Sequence, residues 1–125
     1  FENALVCSKQ RIAFGKPICD MQVVQIHLAE MYTQISAARA LTYQAAQVKS
    51  GERADIETSA AKYFASETAV SVATTALRVF GGYGYLKEYP IERYLRDATM
   101  YLVGEGTNDT LKTSIARKLV KEDKR

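Results

Sequence analysis

The sequence predicts an all-α fold, an antiparallel bundle of the four-helix type with about four to five helices. Three observations carry this. Apolar residues recur at spacings of three and four through most of the chain. No alternating run is long enough to make a convincing strand. Glycine and proline gather at the few places where such helices would have to stop. With 125 residues, 47% of them hydrophobic and 25% charged, the chain has roughly the length of one average domain and an ordinary globular composition.

A first helix is predicted from Glu2 to Ala13, ending at Phe14-Gly15-Lys16-Pro17, because Gly15 accepts a C-cap conformation and Pro17 cannot continue the ladder. Phe1 to Gln10 reads as the later part of a helix with no N-cap before it, as in a piece of a longer protein. Asp20 is predicted to cap a long second helix. Along it Val24, Leu28, Met31, Ile35, Ala38, Leu41 or Thr42, and Ala45 form one stripe down a cylinder of about 40 Å, ending near Ser50-Gly51. After Glu52-Arg53-Ala54-Asp55 a third helix carries Ile56, Ala60, Tyr63, Val70, Ala73, Leu77 and Phe80 with the same period until Gly81-Gly82. So short a link makes the two long helices antiparallel. Pro90 fits the first turn of a short helix with Glu92–Arg96 and Arg93–Asp97 pairs. Thr107 is a good N-cap for a last helix with Leu111, Ile115 and Leu119 on one face and Asp109 in its first turn.

Charge and special residues exclude several functions. The net charge of +3, with both signs interleaved except in the tail Lys118 to Arg125, demands no polyanionic polymer. Cys7 and Cys19 are too isolated for a disulfide framework and fit a reducing compartment. With His27 the lone histidine, no tetrahedral metal set can be written. No apolar run approaches the ~20 residues that cross a bilayer, and no signal-peptide pattern opens the chain. Gly82-Tyr83-Gly84 follows a helix and lacks the third glycine of a dinucleotide fingerprint. Gly15-Lys16 has no Walker context, and no nucleophile motif accompanies His27. Asn108-Asp109-Thr110 spells a glycosylation acceptor without a secretory signal. Glu67, at the edge of the third stripe, reads as a carboxylate that is paired with a cation or reaches solvent rather than as a buried base.

What remains is Arg78 to Arg117, where two glycine turns interrupt the helical pattern and the second follows a lone carboxylate, Glu105, two residues before a helix start. Such a turn can hold an acid or base against a ligand; its plain alternative is a helper in capping the last helix. From the residues alone the two readings stand level.

The segment GGYGYLKEYPIERYLRDATMYLVGEGTND from Gly81 to Asp109 resembles the signature of the acyl-CoA dehydrogenases, and Arg11-Ile12-Ala13-Phe14-Gly15 with Gln22 resembles that family's earlier R-x-x-F-G segment. The likeness covers residues 1–125 as the C-terminal helical domain of a longer enzyme, without the family's N-terminal helical and middle β domains. It implies an FAD enzyme that removes the pro-R α-proton of an acyl-CoA thioester while the β-hydrogen leaves as hydride to flavin N5, giving a trans-2-enoyl-CoA. Glu105 matches the catalytic base that many members carry in an E-G-T motif. A carboxylate serves as such a base once burial against acyl chain and flavin raises its pKa, against the smaller opposing effect of the helix start.

By the same resemblance Thr107 lies by the flavin ribityl or pyrophosphate portion, while Asp109 stands where members often have a longer carboxylate or amide. Arg11, Phe14 and Gln22 match positions that hold the adenosine diphosphate part of a neighbouring subunit's FAD. Gly82 matches a close backbone approach to that cofactor, and Arg78 replaces a common glutamine. Arg53 falls near a position that approaches the CoA nucleotide. Gly104 replaces a frequent tyrosine in the acyl-pocket wall, implying room for a longer or branched chain. The resemblance further implies a dimer or tetramer with shared FAD sites, electron-transferring flavoprotein as acceptor, and a place in the mitochondrial matrix of a eukaryote or the cytoplasm of a bacterium. Two other classes are a DNA-binding alkylation-response flavoprotein of the same fold, disfavoured by the scattered charges, and a helical oligomerisation or flavin-binding module without chemistry.

Overall fold

The computed structural model describes residues 1–48 and 55–122. Their elements are α1 (Glu2–Gln10), β1 (Ile12–Ala13), β2 (Lys16–Pro17), α2 (Gln22–Ala46), α3 (Asp55–Phe80), α4 (Ile91–Met100) and α5 (Asn108–Glu122). The all-α prediction holds, with five helices and one two-residue hairpin among the described residues.

The two long helices form the spine, and α3 is its centre, since α1, α2, α4 and α5 all pack on it. Thr42 and Ala45 of α2 lie against Thr58 and Ala61 of α3, whereas Ile35 and Ala38 lie against Thr68 and Val72. The order reverses along the pair, so the helices are antiparallel. On α2 the predicted stripe is the buried one: Val24, Met31, Ala38 and Ala45, seven residues apart, are its buried positions. On α3 it is not. Of the predicted residues only Ala73 and Phe80 are fully buried; the others on that helix are Ala61, Ser66, Thr68, Val72, Ala76 and Val79. A helix contacted on several sides has no single apolar stripe, and small residues let its neighbours come close.

The main core sits where α1, the start of α2, the end of α3 and the start of α4 meet. Met31, Ile91, Phe80, Val79 and Ile18 fill it with Ala4 and Ala76. Met31 and Ile91 are 1% and 2% exposed, and each buries a side chain worth about 1.5–3 kcal/mol.

Four predicted boundaries need correction. The first helix ends at Gln10, not Ala13, because Arg11 turns extended (φ −76°, ψ 123°) and its side chain is drawn across to α3. Ile12 and Ala13 instead pair with Pro17 and Lys16, so the stop predicted at residues 14–17 is a hairpin loop and second strand. Asp20 lies in a 3₁₀ turn, Ile18–Asp20, and Met21 is the N-cap of α2 without a side-chain bond. Pro90 stands one residue before α4 as its N-cap. The predicted end at Ser50-Gly51 lies outside the described residues.

Thr107 does cap α5, its Oγ1 accepting the Thr110 N–H at 3.3 Å. The Glu92–Arg96 pair forms at 3.7 Å between an exposed arginine and a half-buried glutamate, an i, i+4 surface pair worth tenths of a kcal/mol. Of the face predicted on α5, Leu111 and Ile115 are half-buried and Leu119 is exposed.

Candidate functional site

The predicted site residues separate into two groups at opposite ends of α3. From Lys62 to Phe80 the helix rises about 27 Å at 1.5 Å per residue. The two groups therefore face different regions of space.

At the C-terminal end of α3, Arg11 is the knot. Its Nη1 donates to the Phe80 carbonyl at 2.7 Å, closing the end of α3. Its guanidinium carbon lies 5.3 Å from the Tyr83 ring centroid. Gly81 makes this approach possible: its φ is +61°, and a Cβ there would stand 3.3 Å from Arg11 Nη1. Gly82 is open, with nothing within 4 Å of an added Cβ, and Arg78 is exposed in the last turn of α3. A shallow cleft of about 360 Å³ beside Arg11 is lined by Val6, Cys7, Tyr83 and Tyr89. Burial pushes the Cys7 thiol up, with Arg11 acting weakly the other way.

Phe14 belongs to this end through the hairpin. It occupies the loop tip with φ +54°, followed by Gly15 at +79°, the two left-handed positions of a type I′ turn. Its side chain is 95% exposed. A phenylalanine in left-handed backbone and fully in solvent is strained locally and solvated unfavourably, the kind of outlier that points to a ligand or partner. Gln22, the first residue of α2, is exposed.

The second group surrounds Glu105. Glu105 has φ +56° and Gly106 φ +92°, so two successive left-handed residues throw the chain outward just before α5. Glu105 is exposed, and among the described residues nothing pairs with its carboxylate. Thr107 and Asp109 follow at the helix start, both exposed, with Thr107 Oγ1 2.8 Å from Thr110 Oγ1. The predicted room at Gly104 is partly taken: a Cβ there would meet Met100 Sδ at 2.9 Å and Met100 O at 3.2 Å. Arg53 lies outside the described residues.

Three residues that sequence reasoning missed hold this turn. Lys62 Nζ donates to the carbonyls of Tyr101 (2.8 Å) and Gly106 (2.7 Å) and to Asn108 Oδ1 (2.9 Å). Asn108, 5% exposed, donates through Nδ2 to Ser66 Oγ at 2.9 Å and Glu67 Oε1 at 3.2 Å. Its backbone N–H closes the loop on the Leu102 carbonyl at 3.0 Å. The glycosylation triplet therefore begins with a buried, fully engaged amide. Glu67 is paired as predicted, accepting also from Lys112 Nζ at 3.2 Å. The Asn108 hydrogen bond, then that of Lys112, holds the Glu67 carboxyl below the usual carboxylate range.

Two kinds of chemistry fit these groups. A carboxylate free of partners on a fixed turn can take or return a proton. A hydroxyl at an open helix start, a cationic fork, open backbone at Gly82 and an exposed ring suit the phosphates and bases of a dinucleotide. Asp109, an exposed carboxylate at the helix start, is the member that does not suit phosphate. Among the described residues no group of three side chains could hold a metal ion, and no helix is long and apolar enough to cross a membrane.

The family model of the acyl-CoA dehydrogenase C-terminal domain matches residues 1–120. This chain belongs to the acyl-CoA dehydrogenase family. Its fold superposes on butyryl-CoA dehydrogenase from Megasphaera elsdenii with a TM-score of 0.92 and 41% identity, covering 95% of this chain and 31% of that one. It is similar to the FAD complex of PigA, with a TM-score of 0.89 and 32% identity over 94% of this chain and 31% of that one. A 3-(aryl)acrylate reductase from Clostridium sporogenes is 44% identical over 121 residues, 96% of this chain and 32% of the relative. The chain thus spans about a third of the length of the curated relatives it matches.

Proposed function

We propose that this chain is the C-terminal helical part of an FAD-dependent acyl-CoA dehydrogenase in which Glu105 exchanges the α-proton of an acyl-CoA thioester. The observation that carries the reading is the left-handed turn at Glu105–Gly106, which spends backbone strain to present a carboxylate with no partner of its own. A residue that served only to cap α5 has no such need, because Thr107 already does so.

The thioester carbonyl acidifies the α-carbon. Glu105 takes that proton, and cover of the exposed turn by the rest of the enzyme keeps water from the transfer. FAD, when bound, supplies the acceptor for the β-hydrogen as hydride. Thr107 and the first N–H groups of α5 would hold the ribityl or phosphate part of the flavin beside Glu105. Arg11, Phe14, Gln22 and Gly82, with Arg78 at their edge, would hold the adenosine diphosphate part of another copy's FAD. The placement of the two groups against opposite parts of α3, whose anchoring residues Lys62 and Phe80 are separated by about 27 Å of helix rise, supports two separate cofactor molecules and hence a dimer or tetramer. Arg53 is proposed to approach the CoA nucleotide, Asp109 to border the flavin site, and Gly104 to widen the acyl pocket on the side away from Met100. Electron-transferring flavoprotein is the proposed acceptor.

The reductase among the relatives is accommodated by the same residue, since the carboxyl that removes an α-proton in one direction returns it in the other. Glu105→Gln in the full-length, FAD-loaded enzyme tests the assignment. General acid–base contributions of about 10²–10⁴-fold predict a kcat loss in that range with KM for the thioester little changed. A kcat within about threefold of the parent would remove Glu105 from the mechanism.

A further inference from the structure

We infer that Lys62, backed by Asn108 and Ser66, is a positioning residue that fixes the backbone of the Glu105 turn for proton transfer. The inference rests on Glu105 being the base. Lys62 spends all three ammonium donors on one segment: Tyr101 O lies four residues before Glu105, Gly106 O one residue after it, and Asn108 Oδ1 at the start of α5. The cation therefore brackets Glu105 on both sides without touching it. Ser66, one turn along α3 on the same face, and Glu67 hold the Asn108 amide, whose Oδ1 in turn holds Lys62. The anchor is thus a 26-residue helix packed on the four other helices of the described residues, while the anchored object is a loop whose own backbone bonds, Gly104 N–H to Met100 O and Asn108 N–H to Leu102 O, flank Glu105 and Gly106.

The residue type suits the task. An ammonium offers three donors spread about a point, matching three separate acceptors, two peptide carbonyls and one side-chain amide oxygen; a guanidinium offers a planar fork. Without Lys62 the carbonyls of Tyr101 and Gly106 lose the donor that ties both to α3. The left-handed pair at 105–106 then has no reason to stay strained, and it relaxes toward ordinary backbone, moving the carboxylate. Misplacement of a reacting group by about 1 Å costs on the order of 10²-fold in rate.

The test is Lys62→Met in the full-length FAD-loaded enzyme, with kcat expressed per bound flavin and backbone amide exchange followed at residues 103, 104 and 108, whose N–H groups make the loop's backbone bonds. We expect kcat to fall about 10–100-fold with KM within about threefold, and exchange at these three amides to quicken at least about tenfold while the middle of α3 keeps its protection. Lys62→Arg should recover part of both. A residue that only stabilises the fold would lower the melting temperature and leave kcat per flavin unchanged; that result, or exchange at 103, 104 and 108 no faster than in the parent, overturns the inference. If Lys62→Met does not fold, Lys62→Arg carries the same two readouts, with smaller changes in the same directions expected and no change contradicting. The double variant Lys62→Met/Glu105→Gln separates the two proposals: no further kcat loss beyond Glu105→Gln is expected. An active Glu105→Gln enzyme would refute the base, whereas the exchange at 103, 104 and 108 would still decide whether Lys62 holds the turn.

Discussion

The chain contains two left-handed turns built alike and held differently. Phe14-Gly15 and Glu105-Gly106 each place a large side chain at positive φ ahead of a glycine at positive φ, and both side chains are exposed. The first is supported from within: Ile12 and Ala13 pair with Pro17 and Lys16, and Ile18 N–H returns to the Arg11 carbonyl at 2.9 Å. The second has no strand pair: its backbone closes through Gly104 N–H on the Met100 carbonyl at 2.8 Å and Asn108 N–H on the Leu102 carbonyl at 3.0 Å, and at Gly106 itself the carbonyl is held from outside, by Lys62 of α3. A self-supporting hairpin suits a lever that projects a ring away from the body. An externally clamped turn suits a carboxylate whose position must be referred to the rigid core.

Replacing each glycine by alanine is the strongest way to break this comparison. Neither glycine is crowded: an added Cβ meets nothing within 4 Å at Gly15 and only Leu111 Cδ2 at 3.8 Å at Gly106. Both replacements therefore cost backbone strain alone, about 1–2 kcal/mol, visible as similar drops in melting temperature. Their functional effects should differ. Gly106→Ala is expected to lower kcat several-fold with flavin affinity retained, and Gly15→Ala to weaken FAD binding with kcat per bound flavin retained. Equal effects on both quantities would mean that the turns do the same work.

The smallest expected effect sharpens the clamp's outer edge. Glu67 has a depressed carboxyl, so its contribution is present above the unfolded carboxylate pKa, near about 4.3, and fades as pH falls through the lower folded value. The group is half exposed, and Glu67→Gln should cost only tenths of a kcal/mol at pH 7. Melts at pH 7 and below pH 3 should show the parent's small advantage only at the higher pH. An advantage that persists in acid would contradict the assignment.

What the sequence made legible was what depends on short spacings. The buried α2 stripe of Val24, Met31, Ala38 and Ala45, the stop at Gly81 and the Thr107 cap are local patterns, and each stands in the structure. The hairpin escaped because two-residue strands carry no alternation and Phe-Gly is not a usual type I′ pair. Asp20 misled because a good capping residue lies in the turn before the helix. The buried set of α3 was misjudged because that helix is packed on several sides. Within the site, Glu105 was visible as an unexplained carboxylate beside a glycine, but Lys62 was not. Its partners lie 39 to 46 residues away, and no local spacing links a lysine inside one helix to a loop before another.

The most direct measurement follows the proton itself. With a full-length, FAD-loaded enzyme and an acyl-CoA thioester deuterated at the α-carbon but lacking a transferable β-hydrogen, the reaction can go no further than proton removal. The account predicts that the parent enzyme washes the α-deuterium into solvent and that Glu105→Gln does so at least about 10²-fold more slowly, with thioester affinity preserved. Wash-out at the parent rate in Glu105→Gln would contradict it.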